Sequence, residues 1–338
     1  MSAIRHFYTL ADLEKVHIEG LLTQADWLRG HRTLEELRGR AVICLYLAPS
    51  LRTRVSMELA ARQLGAYVVT LTPGHGVWKL AFDTGQPMRG AEAEHIIEAV
   101  GVLGRYGDLL AVRAFPERQS WERDAKDPVL RAVMEHSPVP VLNLESTRYH
   151  PCQAAADILT IRRDAAGEPQ GPVVLTWTDH PKALPVAVPS SFAIGITRMG
   201  WDLVVTHPEG YELPADVLET CRRFAHESGS AFAVTHDRTQ ALRGARYVYA
   251  KSWGRLDRYG DEQREIAERR ERGLERWIVD EQAMALTNEA RFLHCLPVRA
   301  GVVVSEGVLR GPRSLVLEQA ENRLHIQKAI LMDLLSDG

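Results

Sequence analysis

Ala41-Val42-Ile43-Cys44-Leu45-Tyr46-Leu47, followed one residue later by Pro49-Ser50-Leu51-Arg52-Thr53-Arg54, is the segment on which the fold turns. The continuous apolar run has the length of a strand, and its lack of alternation suits a strand buried on both faces of a parallel sheet. After the polar turn, Val55, Leu59, Ala60 and Leu64 share one helical face, and Gly65 is placed to end that helix. The segment therefore predicts a strand–turn–helix unit. A helix N-terminus offers free N–H groups and a partial positive charge, which makes it an anion site. Two arginines and two hydroxyls at that point are the groups that hold a phosphate. The alternative is an N-cap hydroxyl with surface arginines. The glycines and Lys-Ser/Thr of a phosphate-binding loop are absent, and so is a dinucleotide fingerprint.

The same alternation extends outward. Residues 10–38 read as one or two amphipathic helices, and 93–104 as another. Tyr67–Leu71, Asp108–Val112 and Val139–Leu144 read as strands. The second half repeats the pattern. Strands are expected at Val173–Trp177, Leu203–Thr206, Ala231–Val234, Tyr247–Ala250 and Phe292–Cys295, and helices at 189–199, 214–227 and 319–335. This pitch predicts an α/β protein with parallel sheets. The chain of 338 residues is long enough for about two domains. The polar stretch 163–172, with Gly167, Pro169, Gly171 and Pro172, marks a boundary near 150–170. Residues 255–275, dense in Arg and Glu, read as a solvated helix or a mobile loop.

Composition narrows the function. Hydrophobic residues make up 45% and charged residues 25%, and the formal net charge is −3, so the basic excess of a general nucleic-acid binder is missing. No apolar run approaches the ~18 residues of a membrane span. Met1 to Leu10 contains no apolar core of a signal peptide. Four cysteines (Cys44, Cys152, Cys221, Cys295) stand far apart with no C-x-x-C pair, as in a reduced, cytoplasmic protein. Thirteen histidines show no ligand spacing, so no metal is expected.

Further groups fall at strand ends. His150-Pro151-Cys152-Gln153 follows a strand and opens a helix with Pro151 at N1. Its histidine and glutamine face the crevice where open α/β sheets bind ligands, or else the histidine merely caps over a buried cysteine. Arg113 and Glu145 end neighbouring strands. One sheet edge thus gathers Ser50, Arg52, Thr53, Arg113, Glu145, His150 and Gln153. His294-Cys295-Leu296-Pro297 ends a later strand. Cys295 reads as a residue lining the site rather than a nucleophile, because no His-Asn partner pattern accompanies it. Lys251-Ser252-Trp253-Gly254 and His180-Pro181-Lys182 are candidate substrate clamps. Lysine is scarce here, at Lys15, Lys79, Lys126, Lys182, Lys251 and Lys328, so these two are informative.

Ser50-Leu51-Arg52-Thr53-Arg54, His150-Pro151-Cys152-Gln153 and His294-Cys295-Leu296-Pro297, in this order and spacing, resemble the aspartate/ornithine carbamoyltransferase family over essentially the whole chain. The ornithine enzymes carry an Asp-x-x-x-Ser-Met-Gly loop, and the corresponding strand here ends in Tyr249-Ala250-Lys251-Ser252-Trp253-Gly254. That loop, with Trp177–Lys182 and Glu318–Arg323, resembles the N-acylornithine branch. The resemblance implies two doubly wound parallel-sheet domains with the active site between them and a knot in the second. Residues 1–150, joined by the C-terminal helix 319–338, would bind carbamoyl phosphate, and 151–318 would bind the acylornithine. It implies transfer of the carbamoyl group to the δ-amine of an N-acyl-L-ornithine, in arginine biosynthesis, without cofactor, metal or covalent intermediate.

By the same resemblance, carbamoyl phosphate lies against Ser50, Leu51, Arg52, Thr53, Arg113, His150, Gln153, Cys295, Leu296 and Arg323. Arg52, Thr53, Arg113 and His150 are the catalytic set. Trp78, Ala93, Glu145, Lys182 and Lys251 hold the acylornithine, Trp78 and Ala93 reaching a neighbouring site in a homotrimer. Acetyl enzymes of the branch resemble one another in carrying a Glu just before Glu-His, where this chain has Ala93 before Glu94-His95. A carboxylate there would repel a succinyl carboxylate, and Lys182 could pair with one. The expectation is therefore N-succinyl-L-ornithine, with N-acetyl-L-ornithine as the alternative. Ornithine itself, or a non-catalytic sensor of the same fold, ranks lower.

Overall fold

The computed structural model describes residues 4–31, 33–82, 87–115 and 118–336. The first half runs α1 (Lys15–Arg29), β1 (Ala41–Tyr46), α2 (Arg52–Gln63), β2 (Tyr67–Leu71), β3 (Leu80–Ala81), β4 (Glu94–His95), α3 (Ile96–Tyr106), β5 (Leu109–Arg113), α4 (Trp121–Asp124), α5 (Pro128–His136), β6 (Val141–Glu145) and α6 (Pro151–Asp164). The second runs β7 (Val173–Trp177), α7 (Ala187–Arg198), β8 (Leu203–Thr206), α8 (Ala215–Ser228), β9 (Phe232–Thr235), α9 (Arg238–Leu242), β10 (Tyr247–Lys251), α10 (Glu262–Glu271), α11 (Glu281–Ala285), β11 (Arg291–Leu293), α12 (Glu306–Leu309) and α13 (Val316–Leu335).

Among the described residues two main parallel sheets form, with strand orders β2-β1-β5-β6 and β11-β10-β7-β8-β9, and β3 pairs with β4 in a small parallel ladder. The continuous apolar run of β1 is explained by its surroundings. Val42, Cys44 and Tyr46 enter one core with Met57 and Ala60 of α2, while Ile43 and Leu45 enter another with Ile96 and Val100 of α3 and Leu130 of α5. Helices cover both faces, so neither can be polar. The second sheet is built likewise: Val173, Leu175 and Tyr249 face the large core, and Val174, Val248 and Ala250 face a separate one. The fold is thus the doubly wound α/β architecture expected.

α6 is buried from Pro151 to Ile161. It and α13 pack against each other, and α13 also packs on α1 and α2. The C-terminal helix therefore returns to the first half of the chain.

Boundaries moved where local chemistry overrides apolar pattern. The strand expected from Val139 begins at Val141, because Pro138 and Pro140 have no N–H to give a ladder; Pro140 contributes only its carbonyl, to the Leu110 N–H (3.0 Å). The helix expected from 93 begins at Ile96, where the His95 ring accepts from the Ile97 N–H. The reading of 255–275 as a solvated helix or mobile loop is corrected. Leu274–Trp277 forms a short helical turn, and in α10 Glu265 and Arg269 are 1% and 2% exposed and form an ion pair. Arg269 also donates to the His180 carbonyl (2.8 Å) and the Tyr211 hydroxyl (3.0 Å). Helical periodicity missed this, because the buried face is charged. Among the described residues, no helix is long and apolar enough to cross a membrane.

Candidate active site between two sheet edges

The C-terminal ends of β1, β5 and β6 face those of β7, β10 and β11 across one cleft of about 1250 Å³. Both groups straddle the point where strand order reverses, the usual place for a ligand in an open α/β sheet. Among the described residues the cleft is lined by eight Lys and Arg side chains and one carboxylate, Glu145, a field that selects an anionic ligand.

At the start of α2 the capping alternative is realised at one N–H. No side chain of Leu51 caps the helix; instead the Ser50 hydroxyl accepts from the Thr53 N–H (3.2 Å). Arg323, from α13, spans this loop and α6. Its guanidinium donates to Thr53 Oγ1 (3.0 Å) and to Gln153 Oε1 (2.7 Å). Gln153 in turn donates to Asp157 Oδ1 (2.7 Å), which also accepts from the Gln319 amide (2.6 Å). Gln319 Oε1 accepts from the His294 N–H (2.9 Å), and His294 Nδ1 from the Leu296 N–H (2.9 Å). One hydrogen-bonded chain thus joins all three motifs. Asp157 and Gln319 were not singled out in the sequence. Both are buried in the structure, on helices that carry other polar residues as well, so sequence alone gave no signal for them.

Arg113 and Glu145, partners across β5 and β6, form a buried ion pair, and His150 Nε2 lies 3.4 Å from Glu145 Oε2. Burial, then the Arg323, Arg113 and Lys251 charges, hold the His150 pKa well below its ordinary value. The ring is therefore neutral at neutral pH and can donate or accept without carrying charge. His150 follows a turn and has no capping bond to α6, so the capping alternative is not what its side chain does. Three buried nitrogens here, Arg113 Nε, His150 Nδ1 and Arg323 Nε, have no protein partner. The two guanidinium N–H groups are donors, each costing roughly 1–3 kcal/mol unpaired, a cost that an anionic ligand would offset.

Cys295 lines the same cleft. Burial raises its pKa, with Lys251 opposing, so the thiol rather than the thiolate dominates. Leu296 also lines it. Lys182 is exposed at the cleft mouth, and Lys251 is 9% exposed at the end of β10. Arg118 and Arg299 line the cleft too and were not anticipated. Trp78 and Ala93, expected at a neighbouring subunit's site, do not line this cleft. Trp78, 58% exposed, donates to Glu94 Oε2 (2.8 Å), and Ala93 is exposed beside it.

Comparison with known proteins agrees with this geometry. Residues 5–163 match the aspartate/ornithine carbamoyltransferase carbamoyl-P binding domain, and residues 186–334 the Asp/Orn binding domain of the same family. The N-acetylornithine carbamoyltransferase of Xanthomonas axonopodis pv. citri is 41% identical over 99% of this chain and 98% of its own length. The N-succinylornithine carbamoyltransferase of Bacteroides thetaiotaomicron is 34% identical over 97% of this chain and 96% of its own. A crystal structure of N-acetyl-L-ornithine transcarbamylase, with one glutamate changed to alanine and complexed with carbamyl phosphate and N-succinyl-L-norvaline, superposes with a TM-score of 0.95 at 40% identity, covering 98% of this chain and 100% of that one. With the phosphate-loop, His-Pro-Cys-Gln and His-Cys-Leu-Pro motifs converging on one cleft, these matches make the chain a transferase of the aspartate/ornithine carbamoyltransferase family, in its N-acylornithine branch.

Proposed function

We propose that this chain moves the carbamoyl group of carbamoyl phosphate to the δ-amine of N-acetyl-L-ornithine, giving N-acetylcitrulline and phosphate. The reaction class rests on one observation above all: Arg323 ties the α2 N-terminus to the His-Pro-Cys-Gln helix inside a strongly basic cleft. The phosphate lies at the α2 N-terminus with Ser50, Leu51, Arg52 and Arg323. Thr53, Arg113 and the neutral His150 surround the carbamoyl oxygen, with Gln153, Cys295 and Leu296 completing the pocket. The neutral δ-amine attacks the carbamoyl carbon. The C–N bond forms, the carbon–phosphate-oxygen bond breaks, and the amine proton leaves with phosphate. Charge growing on the carbamoyl oxygen is met by donors already in place. Aligning two substrates supplies much of the acceleration.

The acyl group is where the sequence expectation changes. The N-succinyl reading has less support than its alternative, because the acetyl relative is the more similar and matches nearly end to end. A second reading, N-succinylornithine, keeps one specific observation in its favour. Ala93 carries no carboxylate, and solved relatives in which one glutamate is changed to alanine, proline, serine or valine are each complexed with N-succinyl-L-norvaline. Trp78 and Ala93 are exposed and away from their own cleft, which fits a role at a neighbouring subunit's site in a homotrimer. Glu145 and Lys251 hold the amino-acid end, and Lys182, at the cleft mouth, meets the acyl end.

The test measures kcat/KM for ornithine, N-acetylornithine and N-succinylornithine in the wild type and in Ala93→Glu. Preference for N-acetylornithine in the wild type supports the main reading. Preference for N-succinylornithine that Ala93→Glu reverses supports the second. Turnover of none of the three overturns both.

A further inference from the structure

A cluster outside the cleft carries a separate inference. His207 directly follows β8 and His236 directly follows β9. The parallel register pairs Thr206 with Thr235, so the two histidines stand side by side, ring centroids 5.0 Å apart. Glu212 comes from the loop that leaves β8, and its Oε1 accepts from the Gly210 N–H (3.1 Å). A ring nitrogen of each histidine and a carboxylate oxygen of Glu212 lie within 4.8 Å of one another.

The hydrogen bonds decide which lone pairs are free. His207 Nδ1 lies 2.9 Å from the Pro208 carbonyl, and His236 Nδ1 lies 2.9 Å from the His207 carbonyl. A carbonyl only accepts, so both Nδ1 atoms carry the proton, and both Nε2 atoms present a lone pair. This is the arrangement that orients a metal-binding imidazole from behind. His207 is fully buried, yet its Nε2 has no partner. A buried, unpaired acceptor beside a second imidazole and a carboxylate is unexplained by packing. Glu212 and His236 are exposed, so the cluster opens to solvent and both can rotate inward.

We propose that His207, Glu212 and His236 bind a divalent transition metal of the zinc class, with water completing the coordination. Two imidazoles and one carboxylate favour zinc, cobalt or nickel over magnesium or calcium. Ligand atoms at Zn–N distances near 2.0–2.1 Å are ~3.4 Å apart in a tetrahedron, so the two exposed side chains must close by about an ångström. The site adjoins the Ser252–Gly254 segment that follows β10. The His207 ring packs on Trp253, whose Nε1 donates to the Tyr211 carbonyl (2.7 Å), and Trp253 is two residues from Lys251. The metal would therefore brace the 207–213 loop against the segment after β10. Spacing along the chain concealed the site, because the two histidines are 29 residues apart and meet only through strand register.

The experiment uses the full chain, stripped with a chelator and titrated with Zn²⁺ against a competing chromophoric chelator, with Co²⁺ absorption as a second readout. Magnesium is the control. His236→Ala and Glu212→Gln change exposed side chains, so both variants fold, which thermal melting verifies. Expected is one saturable equivalent of Zn²⁺, a Co²⁺ spectrum of low coordination number, a zinc-dependent rise in Tm, and at least about a tenfold affinity loss in each variant. No saturable equivalent, affinity retained by both variants, or equal binding of magnesium would overturn the assignment.

Discussion

Arg323 and Thr53 stand 270 residues apart in the chain and 3.0 Å apart in the structure, the guanidinium donating to the threonine hydroxyl. The same guanidinium donates to Gln153 Oε1 (2.7 Å), so a residue of the last helix positions the start of α2 and the start of α6 together. A planar fork can make both bonds at once, and an ammonium cannot reproduce that geometry.

Arg323→Lys should therefore leave a folded protein that handles carbamoyl phosphate poorly. Losing one charge-assisted bond costs roughly 1.5–3 kcal/mol, or about 10–150-fold in kcat/KM. Steady-state kinetics with carbamoyl phosphate as the varied substrate checks this. An unchanged kcat/KM would remove Arg323 from the phosphate site.

Arg52 opens α2 and lines the cleft beside Arg323, Arg113 and Glu145. Its charge would neutralise the departing phosphate. Arg52→Ala is expected to lower kcat by two orders of magnitude or more, roughly the cost of losing a charged contact in a dry site. A variant with wild-type kcat and carbamoyl phosphate affinity would contradict the placement.

Cys295→Ser should keep substantial activity. Burial raises the thiol's pKa, which disfavours the attacking thiolate. Intact-protein mass spectrometry during turnover should find no carbamoyl adduct on Cys295. Trapping one would replace direct transfer with a covalent route.

Asp157 gives a pH prediction. Burial pushes its carboxyl from an ordinary 3.8 up to about 7, against the bonds from Gln319 and Gln153 that favour the charged form. A raised folded-state pKa means the folded protein holds the proton more tightly than the unfolded chain. Its stabilising contribution is complete below about pH 4 and is lost as pH rises toward 7. Asp157→Asn cannot lose a proton there. Thermal melts across pH 4–8 should show the wild type losing stability relative to Asp157→Asn as pH rises, then levelling. The slope, rather than the absolute difference, is the readout, since the new amide also introduces donors. Parallel curves would show that Asp157 titrates normally.

Much of the fold could be read in one dimension. The continuous apolar runs of β1, β7 and β10 name strands covered on both faces, and the residues just after them name the ligand edge. Ser50, Arg52, Thr53, Arg113, His150, Gln153 and Cys295 were legible for the same reason: each sits at a strand end or a helix start, where the backbone itself is polarised. Less was legible in α10. Glu265 and Arg269 look solvated in sequence because charge normally marks the surface, and only their pairing lets them enter the interior.

The amino-acid sequence by itself determined the parallel α/β architecture, the basic, hydroxyl-bearing turn before α2 and the family membership suggested by three motifs, because all of these are written in local periodicity and in residue type at element ends. The tertiary structure alone decided which of those groups meet. It brought Arg323 to Thr53, Asp157 between Gln153 and Gln319, and His207 beside His236, while leaving Trp78 and Ala93 outside their own cleft. Apart from the one-turn bond between Gln153 and Asp157, those contacts join residues tens to hundreds of positions apart. They depend on sheet register and helix packing, which arise only when the whole chain buries its apolar surface at once.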